Sequence, residues 1–339
     1  MYIRENDYFG QLDMSKRDAY IKMRDGLVNH DKVINLDSGF TVEDIKRIYE
    51  YILFDNPRIF YVAHEFQVSN GVITQFAPKY TYPKWKIKIL NIKIDKYLAE
   101  MKEEFEQRYE TTDFAKERFV HDYCLRRFSY DHKFRHDSHT VIGPILNKKG
   151  VCDGISKFCK LALNYLGVNV LVVSGEGRDP NKSKHEAHAW NVIELDGYWY
   201  HLDVTYNMTL SDKINRYDYY NLADCDIMRD HSINDILPVC NVGGSYFEQE
   251  DLVASNFNEL KHIVDRHVHG QAKAHFSVKL IGRAFTENVV NEVMKCALER
   301  YQKKHQNNAE AKINVRYNAR QMVFEILVQP KTWLNGLRC

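Results

Sequence analysis

Apolar residues recur at Ile155, Phe158, Cys159, Ala162, Leu163 and Leu166. Spacings of three and four place them on one face of a helix, and Gly167 stands where a helix-ending glycine belongs. Val168 to Val173 then reads as a strand that Gly175 and Gly177 break. Two further apolar runs, Ala187–Leu195 and Tyr198–Val204, flank Asp196-Gly197, the strongest short hairpin signal. Upstream, Val42, Ile45, Ile48 and Ile52 mark a helix over Thr41–Leu53 that Asp55-Asn56-Pro57 stops. Ile59–Val62 reads as a strand. Asn70-Gly71, between Phe66/Val68 and Val72/Ile73, predicts a two-residue hairpin loop. Trp85, Ile87 and Ile89 alternate with Lys84, Lys86 and Lys88, which predicts a strand whose lysines form a solvated face rather than an anion patch. Residues 96–128 read as helical, with a stripe of Phe119, Val120, Tyr123, Cys124 and Phe128 after a cap at Thr112 or Asp113. Residues 129–150 read as a loop rich in histidine. From about residue 275 the pattern is β-α-β-β.

The patterns alternate between periods without a repeat, so the fold class is α+β, in two or three lobes. Boundaries fall at pattern changes: an N-terminal lobe over 1–95, a core over 96–240 and a C-terminal lobe over 241–339. At 339 residues the chain is long enough to bury a large core without disulfides or a structural metal. Lys+Arg number 47 and Asp+Glu 46, which argues against a polyanion-binding surface spread over the protein. No nucleic-acid motif accompanies that balance, and no apolar run is long enough to cross a membrane. The seven cysteines are odd in number and contain no Cys-x-x-Cys, so neither a disulfide framework nor a zinc ribbon is expected. The N-terminus has no apolar leader. Together these readings predict a cytoplasmic protein.

Cys152 opens the helix that carries Ile155 to Leu166, directly after Lys148-Lys149-Gly150. The free N–H groups and partial positive charge of a helix start stabilise a thiolate, and the same groups can hold an oxyanion. The hairpin supplies the partners. With a two-residue loop the cross-strand numbers sum to 393, which sets Asp203 opposite Trp190 and one step diagonal from His188. Parity then places His188 and Asp203 on one face, roughly 5–8 Å apart at Cβ. A cysteine on a helix start with a His–Asp pair on adjacent strands is a nucleophile, a base and a group that orients the base.

In this order the three resemble the transglutaminase-like superfamily, relatives of papain-type cysteine proteases. Gly150-Val151-Cys152-Asp153-Gly154 resembles the nucleophile motif of that family, His188-Ala189-Trp190-Asn191 its histidine motif, and Gly197 to Thr205 its aspartate motif. Bacterial members carry stretches similar to Asp55–Tyr61, Tyr219–Leu222 and Asp230-His231. The resemblance implies a papain-like core, a Cys-bearing helix packed on an antiparallel sheet that bears His and Asp, flanked by smaller lobes. It implies Cys152 as nucleophile, His188 as general base and acid, and Asp203 as the residue orienting His188. Ile155 and Tyr206-Asn207 depart from the family pattern, which is expected to alter the pocket lining.

The expected chemistry is cysteine-dependent acyl transfer or hydrolysis at amide bonds of a protein or peptide. The contrasting expectation is an inactive binding or scaffold protein with the same fold. Tyr130, His139 and Trp190 are candidates for the oxyanion site or pocket, Trp190 fitting better as packing over the site. No cofactor is expected, and no calcium, since no Asp-rich loop occurs. The sets His132/His136/His139 and His262/His267/His269/His275 lack metal-site spacing with a fixed fourth ligand. Gly243-Gly244 reads as a hinge, and Cys159 as core. The sequence sets no oligomeric state.

Overall fold

The computed structural model describes residues 7–69, 71–108, 110–178, 184–212, 214–268, 273–305 and 310–331. Asn70, His269 and Cys339, singled out by the sequence, lie outside them.

Three sheets organise the chain. In the first, Ile34–Phe40, Ile73–Tyr80 and Val62–Val68 pair antiparallel in that order. Thr41 starts the helix Val42–Asp55 with a capping box, its hydroxyl accepting from Asp44 N–H while Asp44 reaches back to Thr41 N–H. That helix buries Ile45, Ile48 and Ile52 as its spacing predicts. Two expectations fail in this lobe. Ile59–Tyr61 is a buried loop preceding the strand, and Val68 pairs with Phe76 across a connection longer than two residues.

The segment expected as a Lys-faced strand is instead the first turns of a long helix, Lys84–Glu106. The alternation of Trp85, Ile87 and Ile89 is local, and the longer pattern of Leu90, Ile94, Leu98, Met101 and Phe105 has helical spacing and is what the core buries. Trp85 and Ile89 remain exposed, and so do Lys84 and Lys88. A second helix, Asp113–Arg127, follows with Thr112 as its cap, the hydroxyl accepting from Ala115 N–H. Residues 129–150 hold short structure: Ser129–Tyr130 pairs parallel with Lys149–Gly150, and a 3₁₀ turn spans His136–His139.

The helix Cys152–Tyr165 packs on the second sheet, whose order is Tyr198–Leu202, Glu186–Leu195, Asn169–Gly177, His231–Ile233, all antiparallel. Leu195 pairs with Tyr198 and Asn191 with Leu202, the register summing to 393. Asp196 and Gly197 both take positive φ, 50° and 83°, as a primed hairpin turn requires. Alternate residues of this sheet face two apolar layers. Val170, Val172, Ile193 and Leu195 join the main core, whereas Leu171, Val173, Trp190 and Val192 form a layer with Cys240.

Gly175 and Gly177 do not end their strand, which runs to Gly177. Gly175 lets a fourth strand approach, since a Cβ there would overlap the Ser232 carbonyl, whereas Gly177 leaves room for the site, since a Cβ there would overlap the Tyr206 hydroxyl and crowd the His188 ring.

One continuous apolar cluster runs from Tyr8 through Tyr220, so the N-terminal elements and the Cys152 helix share a core. Lys160 fastens them further, buried in that helix and bonded to Asp7 at 3.0 Å and to the Val170 carbonyl at 2.6 Å. A separate cluster spans Phe247 to Val328. Its sheet runs Val253–Ala254, Ala274–Leu280, Val323–Pro330, Ala311–Asn318, with helices Phe257–Val268 and Glu287–Lys304 packed on it. Beside the β-α-β-β unit, the helix Phe257–Val268 and the strand before it were not read from the sequence.

Candidate active site

Val151 precedes the helix Cys152–Tyr165 in extended conformation and carries no side-chain cap. The first-turn N–H groups are therefore left for other acceptors, at the end where the helix dipole is positive. Gly154 packs against the Ser138 carbonyl so closely that a Cβ there would overlap it. From Gly154 to Leu163 the helix is buried, which fixes its start. Asn191 ties it to the sheet by donating to the Ser156 and Leu171 carbonyls at 3.0 and 3.1 Å. Cys152 itself is partly exposed.

His188 lies on the strand Glu186–Leu195, and its Nε2 meets Asp203 Oδ2 at 2.7 Å. Asp203 has left the sheet. It caps the helix Val204–Leu210, Oδ1 accepting from Tyr206 N–H at 2.9 Å. Tyr206, one of the departures from the family pattern, stacks on His188 at 4.2 Å between centroids. The other two departures, Ile155 and Asn207, are fully buried; Asn207 holds His121 and the Tyr219 N–H.

Burial disfavours a charged His188, but the Asp203 charge and hydrogen bond outweigh it, with Cys152 adding to them, and push the imidazole up to about 10. Burial likewise opposes the Asp203 carboxylate, yet His188 and His231 hold it well below the usual range. His188 is thus an imidazolium at neutral pH, and Nδ1 is the ring nitrogen not engaged by Asp203.

Two cavities meet at Cys152. One, about 690 Å³, runs under the N-terminal lobe and is walled by charges of both signs, among them Lys46, Arg47, Asp153, Lys157 and Asp235. The other, about 430 Å³, is lined by Tyr130, His132, Phe134, Val151, Thr205 and Tyr206. Cys152, His188, Ala187 and His139 line both.

Tyr130 and His139 therefore face the space around Cys152. Trp190 does not. It is fully buried and its indole N–H donates to His201 Nδ1 at 3.1 Å, so it has no donor to offer an oxyanion. Gly244 belongs to a helix start, its N–H donating to Glu248 in the turn that Ser245 caps. Cys159 is buried beside Cys124, their sulfurs 3.9 Å apart.

His139 gathers with His64 and Asp153 rather than with His132 and His136. Burial lowers the affinity of both imidazoles for protons, which leaves neutral nitrogens within 4.8 Å of one carboxylate. Lys157 already neutralises that carboxylate, its ammonium 2.8 Å from Asp153 Oδ1, which disfavours a second cation there.

One residue at the centre of the site, His231, falls in a stretch whose resemblance to bacterial members gives it no role. His231 also reaches Asp203 Oδ2, at 3.2 Å, while its Nδ1 meets Asp230 Oδ1 at 2.7 Å. Only the pairing of a three-residue strand brings it there, and no local spacing announces that.

Comparison with known proteins agrees with this architecture in one segment. Residues 102–204 match the sequence profile of the transglutaminase-like superfamily. Curated proteins gave no match. Among solved structures, a proposed cysteine protease from Cytophaga hutchinsonii is similar over 33% of this chain and 37% of its own, at 18% identity and TM-score 0.29. A structure described as a TGase is similar over 62% and 52%, at 15% identity and TM-score 0.32. A proposed protease from Parabacteroides distasonis covers 77% and 55%, at 9% identity and TM-score 0.23. The chain thus spans roughly a third to a half of the length of these structures. The segment 102–204, which carries Cys152, His188 and Asp203, belongs to the transglutaminase-like superfamily.

Proposed function

We propose that the protein is a cysteine-dependent acyltransferase or hydrolase acting on amide bonds of a protein or peptide. The observation that carries this reading is the meeting of two cavities at a thiol beside His188, whose far nitrogen is held by Asp203. An amide has an acyl side and an amine side, and a thiol between two cavities can receive both.

In the proposed resting state the Cys152 thiol has already given its proton to His188, leaving a thiolate–imidazolium pair. The thiolate attacks the amide carbon, and the carbonyl electrons move to oxygen. The first-turn N–H groups of the Cys152 helix face that oxyanion, with His139 or Tyr130 from the cavity wall as the second donor. His188 then protonates the leaving nitrogen, the C–N bond breaks and a thioester remains. His188 next takes a proton from the acceptor as it attacks the thioester; the C–S bond breaks and the Cys152 thiolate returns beside the protonated His188. Water as acceptor gives hydrolysis, and an amine gives transamidation. Asp203 keeps His188 oriented throughout and stabilises its charge whenever it holds the second proton.

Substoichiometric iodoacetamide labelling between pH ~5 and 9 tests this, with each cysteine mapped. Cys225 is exposed and Cys152 only partly so. Exposure alone would label Cys225 first. An ion-paired Cys152 is expected to label first at pH ~6, well below the free-thiol range near 8.5, and His188→Ala should abolish that preference. Labelling of Cys152 no faster than Cys225 at pH ~6, or labelling indifferent to His188, overturns the reading.

A further inference from the structure

We propose that His231 is a positioning residue of this site: a second, buried imidazolium clamped between Asp203 and Asp230 that fixes the Asp203 carboxylate and adds a positive charge behind His188. The proposal rests on the reading of Cys152 and His188 given above.

Geometry sets the charge. His231 Nε2 lies 3.2 Å from Asp203 Oδ2, and Nδ1 lies 2.7 Å from Asp230 Oδ1. A carboxylate only accepts, so both ring nitrogens must carry protons, and a doubly protonated imidazole is cationic. The side chain is fully buried, which makes an unpaired charge costly and a pair of carboxylates on opposite edges the natural compensation. The titratable or charged groups facing it are Asp203, Asp230, His188, His201, Tyr206 and Tyr219. Burial works against the charge, and the two aspartates outweigh it.

Two consequences separate this role from packing. Asp203 Oδ2 is shared by two imidazoliums, and with Tyr206 N–H on Oδ1 the carboxylate has no freedom to turn away from His188. The His231 charge also acts on the thiolate across His188, their ring centroids being 5.5 Å apart. A unit charge at roughly 10 Å and an effective dielectric of about 20 shifts a neighbouring titration by about one pH unit. Asp230 is in turn held from the C-terminal lobe. Tyr219 OH donates to its Oδ2 at 2.7 Å, Asn318 donates to that hydroxyl at 3.1 Å, and Gln321 lies 3.4 Å from the same oxygen.

The pH dependence of Cys152 alkylation tests the proposal in His231→Gln and Asp230→Asn of the full chain. His231→Gln removes ring and charge. Asp230→Asn removes the acceptor that demands the second proton, but leaves a ring that can still donate to Asp203. The expected result is an acid limb displaced upward in both variants, by about one pH unit in His231→Gln and by less in Asp230→Asn, which also removes the Asp230 charge, with labelling at pH ~6 falling by up to about tenfold. A displacement in His231→Gln alone assigns His231 a packing role and overturns the proposal, as does no displacement in either. Should His231→Gln fail to fold, Asp230→Asn alone decides. Wild-type labelling is the control for the parent reading. If wild-type Cys152 shows no reactivity below the free-thiol range, that reading fails. If it does and the variants match it, only the His231 assignment fails.

Discussion

Buried ionisable groups divide into those that are fully paired and those that are not, and the difference fixes how each responds to pH. Asp203 accepts from three donors and is ionised at any ordinary pH. Glu117 is as deeply buried, yet its hydrogen-bond donors are uncharged, the Asn221 amide at 2.9 Å and the Tyr220 hydroxyl. Burial pushes its carboxyl up to about 8, with Tyr220 and Asn221 opposing. The unfolded chain ionises near 4.5. Between those values the folded state binds the extra proton, so stability falls as pH rises, by about 1.4 kcal/mol per pH unit inside the window. Glu117→Gln keeps an oxygen for Asn221 and removes the proton linkage. Urea midpoints should therefore match wild type most closely near pH 5 and exceed it increasingly toward pH 8. A variant advantage that does not grow with pH would count against a neutral Glu117.

At the scale of elements, legibility followed the strength of the local signal. The hairpin was readable to the residue because Asp196-Gly197 demands positive φ at both positions, and a turn of that type fixes register. The Cys152 helix was readable because six apolar positions share one face and a glycine ends it. Lys84–Glu106 was misread because six alternating residues in its first two turns mimic a strand, while the helical pattern begins at Leu90. Long-range pairing was invisible. Nothing near His231 shows that a three-residue strand will lie against Gly175–Gly177, nor that Gly175 is there to admit it. The misread helix yields a discriminating pair of variants. On a strand with Ile87 and Ile89 inward, Ile89→Ala is the costly change. On the helix, Leu90 is buried and Ile89 is 45% exposed. Leu90→Ala should cost about 2–5 kcal/mol and Ile89→Ala less than about 0.5, read from urea midpoints. Equal losses would contradict the helical register.

Across the whole molecule, two kinds of junction meet the site from opposite sides. The N-terminal lobe is joined to the Cys152 helix through shared apolar core and the buried Lys160–Asp7 pair, which tie the roof of the larger cavity to its floor. The C-terminal lobe keeps its own core and docks through polar contacts, as interfaces between domains commonly do. Lys279 pairs with Asp226 at 3.0 Å, and Arg320 donates to the Arg178 carbonyl at 2.9 Å. The central contact is Arg216, which grips Asp218 through two parallel bonds of 2.8 and 2.7 Å and reaches Glu325 of the C-terminal lobe at 2.9 Å. All three side chains are at most 3% exposed. Removing the guanidinium leaves two buried carboxylates, and Arg216→Ala should cost about 3–5 kcal/mol. Because the lobe has its own core, that loss should be unequal along the chain. Amide exchange is expected to quicken in Ala274–Leu280 and Val323–Pro330 before it does in Cys152–Tyr165. Burial opposes a charged Glu325, but Arg316, His275 and Arg216 keep its carboxyl below the ordinary 4.5. That stabilisation is present above about 4.5 and lost as pH falls through the lowered value, so mild acid should loosen the same two strands in the wild type. Uniform acceleration across both cores would mean that the lobes open together and that docking at Arg216 is not where they part.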